Sequence, residues 1–195
     1  MRPMAWMLAG TLGAASGMAL GESDDAKRVF SLTSPSVVTV RTEDGKGLAE
    51  GQGSGVVVAP QRIVTNCHVI ESAPVIRVYV GDKGLPATWL RQNAVQDLCL
   101  LQVNGLGAAP ARLREGAVPR VGEPVFAVGN PLGFGLAVSA GLVAVGEQTQ
   151  PHPYLVSTAP QSPGSSGGGL FDRDGRLVGV TRAILGTGQN PNIAL

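Results

Sequence analysis

Glycine and proline take 28 + 14 = 42 of the 195 positions, and that density of backbone breakers sets the first limit on the fold. Proline removes a backbone donor and fixes φ, and glycine loses the most conformational freedom on ordering, so neither sustains long helices. A helical bundle or coiled coil is therefore excluded. Yet 44% of the chain is hydrophobic, enough to furnish a core. Apolar content broken at short intervals favours many short strands joined by tight turns. The 15 Lys and Arg nearly balance 14 Asp and Glu, which removes the basic footprint of a nucleic-acid binder.

The N-terminus reads differently. Arg2 precedes an apolar or small-residue stretch from Met4 to Leu20, and Ala19-Leu20-Gly21 places small residues at a cleavage site before Glu22-Ser23-Asp24-Asp25. That is the pattern of a cleaved secretory signal peptide over 1–21, implying a periplasmic or secreted protein. An uncleaved anchor is the alternative, although the Gly-interrupted stretch is short for a permanent span. Removing it leaves 195 − 21 = 174 residues, enough for one compact domain or two small barrels, and no stable membrane span.

A short opening helix is expected over Asp25–Leu32, ended by Ser34-Pro35. Strands follow at Val37–Val40, Val56–Val58, Ile63–Thr65, Val75–Val80 and Leu98–Val103. After a linker over Ala108–Arg120 come Pro124–Val128, Leu136–Val145, Tyr154–Thr158, Gly169–Phe171 and Arg176–Thr181. Asp174-Gly175 marks a hairpin turn between the last two. The result is an all-β reading, sandwich or barrels, with halves at 22–112 and 113–195.

Three segments place one reactive side chain in apolar surroundings. His68 lies in Ile63-Val64-Thr65-Asn66-Cys67-His68-Val69-Ile70; Asp97 opens the run Leu98-Cys99-Leu100-Leu101; Ser166 lies in Ser162-Pro163-Gly164-Ser165-Ser166-Gly167-Gly168-Gly169. Each alone has a bland reading: a buried histidine, a turn aspartate, a flexible loop. Together they match a Ser/His/Asp constellation, in which a buried carboxylate orients the imidazole and converging amides stabilise an oxyanion. Gly164-x-Ser166-x-Gly168 also fits a nucleophile elbow, but that fold needs its histidine after the serine, and both histidines, His68 and His152, precede Ser166. The order His68, Asp97, Ser166 is that of the two-barrel serine proteases. Gly51–Gly55 opens a β run and has no Gly-Lys-Ser/Thr of a phosphate loop, the two cysteines lack metal-ligand spacing, and His152 between two prolines reads as a loop residue. No cofactor or metal is expected.

The set of motifs resembles the trypsin-fold serine proteases of the HtrA/Deg type. The likeness runs from Ser34-Pro35-Ser36-Val37-Val38 through Gly53-Ser54-Gly55, TNCHVI, QDLCLL and Val128-Gly129-Asn130-Pro131-Leu132-Gly133. It continues through Gly141-Leu142-Val143 to SPGSSGGGLFDRDGRLVGV. The resemblance implies two packed antiparallel six-stranded β-barrels with the active site in the cleft between them. It makes His68 the general base, Asp97 its orienting carboxylate and Ser166 the nucleophile. The oxyanion hole would use the amides of Gly164, Ser165 and Ser166.

Departures carry information. Ser165 stands before the nucleophile, so activation by a freed N-terminus pairing with an acid there is unavailable. Ala159-Pro160-Gln161-Ser162 carries no acid, which argues against cleavage after Lys or Arg; the resemblance implies small aliphatic residues instead, although Arg182 in the strand lining that pocket blurs the reading. The chain ends at Leu195, leaving no room for the PDZ domain many relatives carry. Cys67 and Cys99 flank the His–Asp pair, and both a disulfide and two buried thiols remain open. The implied function is a serine endopeptidase acting on unfolded or damaged polypeptides, with a homo-oligomer left open. The rival is a catalytically silent trypsin-fold protein that binds peptides or serves as an adaptor.

Overall fold

The computed structural model describes residues 16–148, 154–182 and 192–195, so His152 lies outside the described residues. Helix α1 (Ser16–Thr33) leads through a 3-10 turn (Ser34–Ser36) into β1 (Val37–Glu43), β2 (Ala49–Ala59) and β3 (Arg62–Asn66). A helical turn α2 (Cys67–Ile70) is followed by β4 (Val75–Val80), β5 (Lys83–Pro86), β6 (Thr88–Asn93) and β7 (Leu98–Gln102). The second half holds β8 (Arg112–Leu113), β9 (Pro124–Gly129), β10 (Ala137–Gln148), β11 (Tyr154–Ser157), β12 (Gly169–Asp172), β13 (Arg176–Arg182) and β14 (Asn192–Ala194).

The first sheet runs β5-β4-β1-β2-β3-β7-β6. Only Ala87 separates β5 from β6, and its amide donates to Ile76 O at 2.9 Å, so the two edges are halves of one bent strand that closes a six-stranded barrel. The second sheet runs β12-β9-β10-β11-β14-β13-β8, and a further β12–β13 pairing closes six strands into a ring. Closure removes the unpaired edges that an open sheet would expose. The expected pair of antiparallel six-stranded barrels is thus observed. One addition is β8, a two-residue strand parallel to β13, pairing Arg112 with Arg176 and Leu113 with Leu177.

Alternation of side chains along a strand explains why the strongest sequence runs are apolar at consecutive positions. Val57 packs inside the first barrel with Val40, Ile63, Val78 and Leu101, while its neighbour Val56 faces a second cluster. That second cluster joins Val37 and Val56 of the first barrel to Phe126, Val128 and Phe171 of the second. On β9, Val125 and Ala127 point the other way, into the second barrel with Leu155 and Leu170. The interface between barrels is therefore a core in its own right, and burying each such side chain is worth about 1.5–3 kcal/mol.

The opening helix starts at Ser16 rather than Asp25, and so passes the expected cleavage point after Gly21. Val29 on its inner face joins the inter-barrel cluster, which ties this helix to the second barrel although the sequence division assigned it to the first. No described helix is long and apolar enough to cross a membrane.

Candidate active site

Two short elements bring His68 and Asp97 together. β3 and β7 pair antiparallel, Thr65 opposite Cys99 and Asn66 opposite Leu98, so the residues following β3 and preceding β7 meet at one barrel rim. The α2 turn carries His68, and the Asp97 carbonyl receives both the Cys67 amide at 3.1 Å and Asn66 Nδ2 at 3.1 Å. Asp97 holds a left-handed backbone (φ 54°), which aspartate tolerates better than most residues because its short polar side chain bonds locally. Its Oδ1 accepts the His68 amide at 2.9 Å, and its Oδ2 lies 2.6 Å from His68 Nδ1. With Oδ2 an acceptor, Nδ1 carries the hydrogen, and Nε2 is left as the basic nitrogen. Burial pushes the Asp97 carboxyl up, yet hydrogen bonds from the His68 ring and amide and the nearby Arg182 charge outweigh it. The carboxyl is held below the ordinary carboxylate range, so it stays ionised beneath the imidazole.

Cys67 and Cys99 form a disulfide, their Cα atoms 5.0 Å apart, so the open alternative resolves to the bridge. It fastens the turn bearing His68 to the strand that follows Asp97. A cross-link over a separation of 32 residues restricts the unfolded chain by about 3–4 kcal/mol. Reduction is therefore expected to lower the melting temperature by roughly 10 °C. Differential scanning with and without reductant, alongside intact mass after alkylation, checks this; an unchanged melting point in protein shown to carry two alkyl groups would refute it.

The second barrel supplies the loop 162–168. Ser166 and Gly164 line one cleft together with His68, Gln52 and Pro163. Gly164 (φ 91°) and Gly167 (φ 85°) both need left-handed backbone, which explains two of the loop's glycines. The Pro163 carbonyl accepts the Leu132 amide at 2.8 Å. In a trans peptide the next N–H points the opposite way, so the Gly164 amide is turned away from Leu132. Ser54 of β2 pins the loop at two places: its amide donates to Ser166 O at 2.8 Å and its hydroxyl to Gly164 O at 2.7 Å. Ser54 sits in the glycine-rich part of β2, and sequence reading gave it no such task.

Ser165 is different. Its amide donates to Ser162 O at 2.9 Å, its carbonyl accepts Thr181 Oγ1 at 2.7 Å, and its hydroxyl accepts the Ser162 amide at 3.5 Å. The Ser165 amide is thus bonded within the loop, which departs from the expected use of all three amides. Arg182 also departs from expectation. Rather than blurring a specificity pocket, its Nε lies 3.1 Å from Asp97 Oδ2. Among the described residues no group of three or more His, Cys, Asp or Glu side chains gathers as a metal site.

Two closed barrels with His and Asp on one rim and a glycine-bounded serine on the facing loop define the architecture of a trypsin-like peptidase. The model of the trypsin-like peptidase domain matches residues 53–180, and the chain belongs to that family. It is 34% identical over 142 residues to a probable periplasmic serine endoprotease DegP-like of Ectopseudomonas mendocina, and 33% identical over 142 residues to its namesake in Hahella chejuensis. Each alignment covers 70% of this chain and 30% of the relative, so the chain spans about a third of the length of these relatives. Among solved structures, the serine endoprotease of Yersinia pestis superposes with a TM-score of 0.78 at 26% identity, over 87% of this chain and 61% of that one. The HtrA-type protease AlgW gives 0.79 at 26% identity, over 87% and 59%. The Rv3671c protease of M. tuberculosis, at 23% identity and TM-score 0.77 over 100% and 88%, shares the fold.

Proposed function

We propose that this chain is a serine endopeptidase in which Ser166 attacks a peptide carbonyl, His68 takes its proton, and Asp97 orients and stabilises the resulting imidazolium. The single observation that carries the reading is the His68 Nδ1–Asp97 Oδ2 contact of 2.6 Å, with the same imidazole and Ser166 lining one cleft. His68 then delivers the proton to the leaving amine, and water entering by the same route hydrolyses the acyl-enzyme. The Gly164 and Ser166 amides stabilise the tetrahedral oxyanion, with Ser165 fixing the loop through Ser162 and Thr181. No acid lies in Ala159-Pro160-Gln161-Ser162, which favours small uncharged side chains over Lys or Arg before the scissile bond.

Substrates are unfolded or damaged polypeptides, a reading that rests on resemblance to the HtrA/Deg proteases. The relatives are named periplasmic, which supports export of this chain directed by residues 1–21 and followed by their removal. Nucleic acid has no part in the reading, and a homo-oligomer is compatible with it.

The test is intact mass after exposure to a fluorophosphonate, on wild type and Ser166→Ala. A single adduct on wild type and none on the variant is expected, because the reagent needs both an activated serine and an assembled oxyanion site. A folded wild type that takes no adduct would favour the peptide-binding rival.

A further inference from the structure

Arg182 is the last residue of β13, and the strand is anchored immediately before it. Thr181 receives the Gly167 amide on its carbonyl at 2.8 Å and donates its hydroxyl to Ser165 O at 2.7 Å. Side chains alternate along a strand, so Arg182 leaves the opposite face, which looks across to the first barrel. There its Nε meets Asp97 Oδ2 at 3.1 Å, and that oxygen is the one facing His68 Nδ1 at 2.6 Å. A fixed cation and the imidazole thus share one carboxylate oxygen. From the geometry we infer that Arg182 is a positioning residue that offsets part of the Asp97 charge felt by His68, and so sets how far into acid the site keeps a basic imidazole.

The inference rests on the endopeptidase reading for its kinetic consequences only. A carboxylate stabilises an imidazolium by Coulomb attraction, and a guanidinium on the same oxygen opposes it. With the cation in place, the imidazolium that forms during attack is less stabilised. Arginine stays charged throughout the working range, so the offset does not titrate. The charged groups facing Asp97 are His68 on α2 and Arg182 on β13; on the cleft side the imidazole shares its lining with Glu50 of β2. The Arg182 side chain is 41% exposed, which limits the effect by screening.

The test compares wild type with Arg182→Thr, Arg182→Gln and Arg182→Lys by kcat/KM between pH 5 and 9, and by NMR titration of the His68 imidazole. In the two neutral variants the acid limb of kcat/KM and the imidazole midpoint should both move to higher pH. The ratio of the rate at pH 6 to that at pH 8 should fall about three- to tenfold, with kcat above pH 8 rising and KM little changed. Arg182→Lys, which keeps the charge, should retain the wild-type acid limb. An unmoved midpoint in a folded neutral variant overturns the inference. So does unfolding of both neutral variants, which would make Arg182 a structural tie between the barrels. A midpoint that moves in a protein inert to substrate and fluorophosphonate would leave the electrostatic pairing intact and sink the endopeptidase reading instead.

Discussion

Asp97→Asn is expected to lower kcat by about 10⁴-fold near neutral pH, in a protein that still folds. The carboxylate accepts two hydrogen bonds, from the His68 amide on Oδ1 and from His68 Nδ1 on Oδ2, and it is ion-paired at Oδ2 with Arg182 Nε at 3.1 Å. An asparagine side chain has one acceptor oxygen and one NH₂ group. If its oxygen takes the place of Oδ1, the NH₂ faces both the imidazole and a guanidinium. The ring must then present a bare Nδ1 and carry its hydrogen on Nε2, the atom that should accept the proton of Ser166. If the amide is reversed, the NH₂ confronts the His68 backbone N–H and displaces the turn. The first arrangement removes the base, the second displaces it, and both leave Arg182 without a counter-charge. The substitution is clean in one respect, because asparagine tolerates the φ of 54° at this position as well as aspartate does. Steady-state kinetics with a thermal melt on the same samples checks this. A loss below about tenfold in folded protein would mean that Asp97 only positions α2.

The site was more legible in the sequence than the barrel edges were. His68, Asp97 and Ser166 each interrupt an apolar or glycine-rich run, and their chain order excluded the competing hydrolase folds. Val75–Tyr79 and Leu98–Gln102 alternate half-buried with buried positions and are therefore patterned. β6 was missed because all six of its residues are exposed, so no alternation marks it, and β5 because Gly84 and Pro86 in Lys83–Pro86 read as a turn. The first half of β2 carries no strand signal, since Ala49–Gly53 shows polar residues and glycines where the chain flanks the cleft. The roles of Ser54 and Arg182 were beyond reach for another reason. Ser54 meets Gly164 across 110 positions, and Arg182 meets Asp97 across the gap between two barrels. No local periodicity encodes such meetings; they exist only once both barrels close.

The second large effect is expected at Gly167, and Gly47 supplies its control. Both glycines have left-handed backbone, φ 85° and 83°. A Cβ at Gly47 would meet nothing within 4 Å, so Gly47→Ala should cost only the conformational strain, about 1–2 kcal/mol or a few degrees of melting temperature. A Cβ at Gly167 would lie 2.1 Å from the Ser54 carbonyl oxygen and 2.5 Å from Thr65 Oγ1. The first of these is backbone and cannot rotate aside. Thr65 is also bound, donating to the same Ser54 oxygen at 2.7 Å. Relief must therefore come from separating β2 from the 162–168 loop, and that breaks the Ser54 bonds to Ser166 O and Gly164 O. Gly167→Ala should cost more than about 4 kcal/mol, or over 10 °C in melting temperature, placing it among the exceptional single substitutions. Fluorophosphonate labelling of whatever remains folded should slow by at least about 100-fold, since the oxyanion amides lose their support. Denaturant unfolding of both variants, with labelling rates on each, separates the two contributions. Equal losses at the two positions would mean that strain alone requires glycine at 167; a much larger loss at Gly167→Ala would mean that the chain keeps glycine there because one barrel's backbone must touch the other's beside Ser166.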